Sequence, residues 1–201
     1  MLKTSRNVLK VAGAIVVVLT MARGVEAGQP LICHPFDAGA APVLPWSSGL
    51  GWKTPDPSYD VQQLTSDVLK LLTPEAPVLA RMENMRRATI YAAQDKRVAA
   101  ELLAAVVSRT AKSANDPLAW FDAGYLIESY RQASGMFQWD MLAGLDRDGY
   151  SFVRKAIAHA GANAEMEFAA SLMQRGASAE HRRRALDGAS PGSLLAKNLS
   201  Q

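Results

Sequence analysis

Few groups of residues in this 201-residue chain have the types and spacing that catalysis or metal binding requires. Residues 188–192, GASPG, match the G-x-S-x-G motif of serine hydrolases. That motif needs a strand before the serine and a histidine after it, whereas the last histidine of the chain is His181. Cys33 and His34 are adjacent, and neighbouring side chains of an extended segment point to opposite sides, which disfavours a shared metal ion. We therefore interpret Cys33 as a buried, inert thiol and His34 as a local hydrogen-bonding residue.

The charged clusters are typical of turns and helix surfaces. Residues 146–149, DRDG, lack the ligand spacing and the final glutamate of a calcium-binding loop. Glu165 and Glu167 are two residues apart on a predicted helix, so they point to different faces and make a poor acid/base pair. The densest basic run, residues 181–184, HRRR, contains no aromatic residue and favours a solvated helix face over a nucleic-acid site. These residues predict no catalytic group, no cofactor, no metal and no nucleic acid.

The first 27 residues have the order of a secretory signal peptide. A basic start is followed by an apolar run over residues 11–22 and by the small-x-small triplet Val25-Glu26-Ala27. A helix over this apolar run extends about 18 Å, which is too short to span a bilayer. We predict cleavage near Ala27, export to the periplasm or the extracellular space, and no membrane span in the mature chain. An uncleaved N-terminal anchor and an ordinary first helix are the alternatives.

The formal net charge of +3 belongs to the predicted signal peptide. Without residues 1–27 the chain has 18 Lys and Arg against 18 Asp and Glu. The mature protein is therefore not a basic protein of the kind that attracts nucleic acid or anionic lipid. The single cysteine excludes an intramolecular disulfide, so packing must stabilise the fold.

Proline and glycine divide the mature chain into an N-terminal arm and a helical domain. Residues 28–57 contain six of the ten prolines, which predicts an irregular, extended arm. Residues 58–188 form the predicted helical domain, and residues 189–201 a flexible tail. We expect the arm to lie across the helical body and to bury some of its apolar side chains, and a floating linker is the alternative. These apolar residues are Leu31, Ile32, Phe36, Val43, Leu44, Trp46 and Trp52.

Apolar residues recur at helical spacing throughout the predicted helical domain. The fourth helix should end near Gln132, before a break over residues 135–148, and a short seventh helix should cover residues 178–187. No stretch alternates in the manner of a strand, so the predicted fold class is all-α. Helix starts are predicted from the capping and proline signals at Ser58, Pro74, Asp95, Asp116, Asp148 and Asn163.

Residues 116–124, DPLAWFDAG, resemble the first helix of a tetratricopeptide repeat, with Trp120, Ala123 and Gly124 at the matching positions and Ile127 as a departure. A similar segment begins 48 residues later. The excess over the usual period of about 34 residues equals the length of the predicted break at 135–148. The resemblance covers roughly residues 115–175 and implies stacked antiparallel helix hairpins that hold a peptide or a partner protein. An irregular helical bundle without a groove is the alternative.

The leading hypothesis from the sequence is an exported, non-catalytic module of the bacterial cell envelope that binds a protein or peptide. Its expected surface lies on the helices at 117–132 and 163–175, and Phe137 and Trp139 are the candidate partner-binding residues. One alternative is an enzyme that acts on cell-envelope polymers through a carboxylate such as Asp140 or Glu128. The other is a structural secreted domain with neither partner nor pocket.

Overall fold

The computed structural model describes residues 31–47, 52–173 and 177–201. Within these ranges the chain forms a 3-10 turn and eight α-helices and contains no β-strand, which confirms the predicted all-α fold. No helix in the described part is both long and apolar enough to cross a membrane. The elements are the 3-10 turn Val61–Gln63, α1 Leu64–Leu71, α2 Val78–Ala92, α3 Lys96–Lys112, α4 Pro117–Phe137, α5 Gly149–Ala160, α6 Ala164–Ser171, α7 Ser178–Gly188 and α8 Leu194–Leu199.

Three predicted helix starts are confirmed by their side-chain caps. The carboxylate of Asp95 accepts a hydrogen bond from the N–H of Arg97 at 2.8 Å, at the start of α3. Asp116 accepts from Leu118 at 2.9 Å, and the side chain of Asn163 accepts from Met166 at 2.9 Å. These short polar residues satisfy backbone donors that the helix itself leaves unpaired.

Two predicted starts are wrong. Ser58 does not cap α1, because its hydroxyl donates to Asp56, and a 3-10 turn capped by Asp60 precedes the helix. Helix α2 begins at Val78 rather than at Pro74, because Pro77 biases the residue before it towards extended geometry.

Helix α4 also differs from the prediction, since it continues through Gly135 to Phe137. An isolated glycine weakens a helix by only about 1 kcal/mol, which the burial of this helix offsets. The helix ends at Gln138, which adopts the left-handed conformation at φ 59°. The predicted break at 135–148 is therefore helical in its first three residues.

Two antiparallel hairpins follow one another along the chain. In the first, Gly124 of α4 lies against Gly149 of α5, and the Trp120 and Phe152 rings meet edge to face at 4.9 Å. A Cβ at Gly124 would lie 2.5 Å from the carbonyl oxygen of Gly149, so this approach requires glycine. In the second hairpin, α6 packs against α7, with Ala164 close to Gly188 at one end.

Helix α2 lies at the centre of the fold and is buried on nearly all sides, although its sequence carries several charges. Each buried charge has a partner. Arg81 donates to Asp122 of α4 at 2.7 Å, and Arg86 donates to Glu83 at 2.8 Å. Pairing of this kind is what allows charged side chains to leave water.

Residues 31–47 of the arm lie along α2, where Leu31, Ile32, Phe36 and Leu44 join the core. Side chains of α2 hold the arm by its backbone. The N–H of Phe36 donates to Glu83 at 3.0 Å, and the N–H of Leu44 donates to Asn84 at 2.8 Å. These contacts replace the backbone pairing that an irregular segment cannot make with itself.

The C-terminal segment is not the flexible tail that its composition predicted. Residues 194–199 form α8, capped by Ser193, and bury Leu195 and Leu199 in the same core. The Asn198 side chain accepts from the N–H of Asp37 at 2.9 Å and donates to the carbonyl of the same residue at 3.0 Å. The arm and the tail therefore stabilise each other.

Candidate binding site

An open pocket of about 360 Å³ lies where the arm leaves α2. Three parts of the chain line it: the segment from Lys53 to Val61, the end of α2 with Ile90 and Tyr91, and Phe137 at the end of α4. Proline and aromatic residues make up half of this lining. The volume falls in the range of pockets that take a small ligand or one or two side chains of a partner.

The two predicted partner-binding residues occupy different positions. Phe137 lines the pocket and is half-buried. Trp139 is not among the lining residues, and its indole N–H donates to the carbonyl of Ala93 at 3.3 Å, beyond the end of α2. Sequence proximity brought both residues to the same corner of the molecule, but only the phenylalanine ring borders the cavity.

Two tyrosines give the pocket a rigid side. The rings of Tyr59 and Tyr91 lie 4.5 Å apart. The Tyr91 hydroxyl donates to the carbonyl of Pro45 at 2.8 Å and accepts from the N–H of Asp56 at 3.0 Å, while the Tyr59 hydroxyl donates to Asp67 at 3.0 Å. Burial raises the pKa of both tyrosines, so both stay protonated at neutral pH.

Two ammonium groups lie on the aromatic rings of this corner. The Lys53 nitrogen is 4.8 Å from the centre of the Trp52 ring and 5.8 Å from that of Phe137. The Lys96 nitrogen is 5.6 Å from the centre of the Trp139 ring. Within the described ranges neither lysine forms an ion pair. Both cations therefore remain available to a carboxylate of a ligand.

The helices expected to carry the binding surface offer little surface. Every residue from Phe121 to Tyr130 and every residue from Met166 to Ser171 is buried. Helix α4 packs against α2, α3 and α5, and α6 packs against α2, α5, α7 and α8. Neighbouring helices thus cover most of the described part of these two helices, and binding at their less buried residues stays a prediction.

The two carboxylates proposed for an enzyme have local partners. Glu128 accepts from the N–H of Tyr150 at 3.1 Å and from Arg131 at 2.5 Å. Asp140 accepts from the N–H groups of Leu142 and Gly144 at 2.9 and 2.8 Å, in the turn after α4. Both carboxylates thus hold backbone in place.

The basic run of α7 is only partly a solvated face. Arg182, Arg183 and Arg184 are exposed as predicted, but His181 is 6% exposed, and its prediction as a surface residue is wrong. Its Nδ1 bonds the carboxylate of Glu167, and its Nε2 lies 2.8 Å from the hydroxyl of Tyr150. His181 turns inward because α7 packs on α6 through one residue in each turn, His181 and then Ala185.

The same packing separates the two glutamates of α6. Glu165 accepts from the N–H groups of Val78 and Leu79 at the start of α2, whereas Glu167 faces α7. They do point to different faces, as predicted, but each finds a partner on another helix. In the sequence, only the four-residue spacing of His181 and Ala185 indicated that His181 faces the core. That spacing did not identify Glu167 as its partner.

The remaining candidates show no assembled site. Cys33 is half-buried, and burial raises the pKa of its thiol, which lowers its reactivity. His34 packs edge to face on Phe36 at 5.9 Å. In the ranges described, no three His, Cys, Asp or Glu side chains are arranged to hold a metal ion. Residues 188–192 join α7 to α8, so a helix stands where the hydrolase motif needs a strand.

Comparison with known proteins gives no relative from which a function could be transferred. No protein-family model, no curated protein and no solved structure matches the chain.

Proposed function

We propose that the protein is a binding module that takes a polypeptide partner at the pocket beside Phe137. The pocket itself carries the proposal: it is open, its size suits a side chain of a partner, and aromatic and proline residues line it. Grooves built from aromatic side chains are a recurring means of holding extended peptides.

The chemistry of the pocket indicates the kind of segment that binds. An apolar side chain of the partner enters between Tyr59 and Phe137, where it removes apolar surface from water. A carboxylate next to that side chain meets Lys53, whose ammonium group already lies over the Phe137 ring. Trp139 and Lys96 extend the contact outside the pocket.

Export to the cell envelope is part of the proposal. It is supported by the order of basic, apolar and small residues in positions 1–27, which lie outside the described residues. The resemblance to tetratricopeptide repeats is likewise proposed, and the antiparallel α4–α5 and α6–α7 hairpins are compatible with it. N-terminal sequencing of the exported protein tests the first point, with Gly28 as the expected first residue.

An enzyme acting on envelope polymers has less support, because Glu128 and Asp140 both hold backbone groups. A purely structural domain leaves the open pocket and the lysine at its edge unexplained. Binding of a polypeptide accounts for both features.

A displayed library of random peptides, selected on the protein comprising residues 28–201, tests the proposal. We expect enriched peptides that combine an apolar side chain with an acidic neighbour. Their affinity, measured by fluorescence anisotropy, should fall about tenfold or more in Phe137→Ala, as for a residue at the centre of an interface. Lys53→Met should weaken the binding of acidic peptides more than the binding of peptides in which an amide replaces the carboxylate.

The matched control is Leu186→Ala, because Leu186 is a large apolar side chain on α7 that is 53% exposed and lies outside the pocket. This variant should bind as the unchanged protein does. A library without enriched peptides, or peptides that bind equally well to Phe137→Ala, would contradict the proposal.

A further inference from the structure

Three side chains from three helices form a hydrogen-bonded chain away from the pocket. They are Tyr150 of α5, Glu167 of α6 and His181 of α7. Nδ1 of the imidazole bonds Oε2 of Glu167, and Nε2 lies 2.8 Å from the Tyr150 hydroxyl oxygen. Glu167 and His181 are each 6% exposed, whereas Tyr150 is half-buried. Tyr150 is therefore the most exposed of the three side chains.

The carboxylate fixes the tautomer of the imidazole. An ionised carboxylate only accepts hydrogen bonds, so Nδ1 carries the proton that is shared with Glu167. In the neutral imidazole Nε2 then has a lone pair, which accepts the hydrogen of the Tyr150 hydroxyl. Carboxylate, imidazole and hydroxyl in this order are the arrangement by which proteins activate a weak nucleophile.

Two arginines lie near these three side chains. Arg184 lies 3.5 Å from Glu167, and the guanidinium of Arg154 lies 6.0 Å from the centre of the Tyr150 ring. On the side of α4, Glu128 accepts from the backbone N–H of Tyr150 at 3.1 Å. A cation close to the ring favours the negative charge that develops on a phenol oxygen as it attacks.

We propose that Tyr150 is a nucleophile for activated carboxylic esters, with His181 as its base and Glu167 as the positioning residue. The phenol oxygen forms a bond to the ester carbonyl carbon, and its proton moves to Nε2. The bond between that carbon and the leaving oxygen breaks, and the leaving group takes the proton from Nε2. Water then hydrolyses the acyl-tyrosine through the same imidazole, which releases the acid and restores the phenol.

A second tyrosine of the same protein provides the comparison. Tyr59 is the matched control, because it is also half-buried but its hydroxyl meets the carboxylate of Asp67 directly, with no imidazole between them. The reaction is separate from the binding of a polypeptide at the Phe137 pocket, and neither requires the other.

The test uses p-nitrophenyl acetate with the native protein. Release of nitrophenol is followed by absorbance, and the acetylated residues are mapped by mass spectrometry. We expect acetylation of Tyr150 to be about tenfold or more faster than that of Tyr59 in the same molecules. His181→Gln should slow acetylation of Tyr150 about tenfold or more, and Tyr150→Phe should remove it.

A positioning role for Glu167 has its own readout. In Glu167→Gln the amide oxygen still accepts from Nδ1, but the imidazolium loses its counter-charge, so the pH profile of Tyr150 acetylation should change while the melting temperature stays close to that of the unchanged protein. Equal rates at Tyr150 and Tyr59 in the native protein would overturn the proposal, and this comparison needs no variant to fold. Acetylation of His181 in place of Tyr150, or an unchanged rate in a folded His181→Gln variant, would overturn it as well.

Discussion

Buried charges distinguish this core at the level of single residues. Asp122 is fully buried, and one of its oxygens accepts from both Arg81 at 2.7 Å and Arg109 at 2.6 Å. Its other oxygen has no hydrogen-bond partner among the described residues. The two arginines come from α2 and α3, so a single carboxylate of α4 connects three helices.

Asp122→Asn should therefore destabilise the fold. The substitution leaves two guanidinium groups near a neutral amide, and breaking a buried ion pair of this kind costs about 3 kcal/mol. Urea unfolding monitored by circular dichroism measures the loss. Asp187→Asn is the control, because Asp187 pairs with Arg183 at the surface, where its carboxylate is 64% exposed and water screens the pair. Equal losses in the two variants would contradict this view of the core.

At the level of elements, the start of α2 depends on a side chain from another helix. Pro77 precedes α2 and provides no side-chain cap. Glu165 of α6 accepts instead from the N–H groups of Val78 and Leu79. Burial of this carboxylate raises its pKa, although the two N–H groups act in the opposite direction. The helix gains a cap, and the glutamate loses part of its contact with water.

Glu165→Gln should change how stability depends on pH. The pKa of Glu165 is higher in the folded than in the unfolded protein, so at a pH between the two pKa values the folded protein binds more protons. The contribution of this carboxyl group to the free energy of unfolding therefore decreases as the pH rises through the two pKa values. The free energy of unfolding of the unchanged protein should fall relative to that of Glu165→Gln as the pH rises above about 4. Glu165→Ala, which removes the cap, should cost about 1 kcal/mol at low pH. If the free energy of unfolding instead rose with pH relative to Glu165→Gln, the carboxylate would stabilise α2 mainly through its charge.

On the scale of the whole molecule, both ends of the described chain belong to one core. The arm brings Phe36 against Phe168, with ring centres 6.0 Å apart, and α8 covers the same region through Leu195 and Leu199. Asn198 links α8 to the backbone of Asp37, 161 residues away in sequence. Loss of either end should therefore expose the other.

Removal of residues 194–201 should lower the free energy of unfolding by about 3 kcal/mol or more, since two buried leucines are lost. Hydrogen exchange should reveal where the effect acts, with faster exchange at the amide of Asp37, which donates to Asn198. Removal of Ser200 and Gln201 alone, both exposed, is the control and should leave both measurements unchanged. Unchanged exchange at Asp37 in the longer truncation would contradict the coupling of the two ends.

Local signals predicted the fold class and part of the site. Helical spacing and short polar caps such as Asp95, Asp116 and Asn163 act within one turn of the chain, so the sequence contains all the information they need. Phe137, a candidate partner-binding residue from the sequence, does border the pocket, and binding of a partner there stays a prediction. The predicted start of α2 was wrong because Pro74 and Pro77 lie within four residues and each can precede or begin a helix.

The sequence by itself determined the helices and the absence of strands in the described ranges, because these depend on neighbours one to four residues apart. Tertiary structure alone decided which charges are buried, since Arg81 becomes a core residue only through Asp122, 41 residues further on. It also decided that His181 faces Glu167 and Tyr150, and that the last eight residues contain a helix. Burial and pairing of this kind depend on which surfaces meet after folding, and no local pattern of residues encodes that choice.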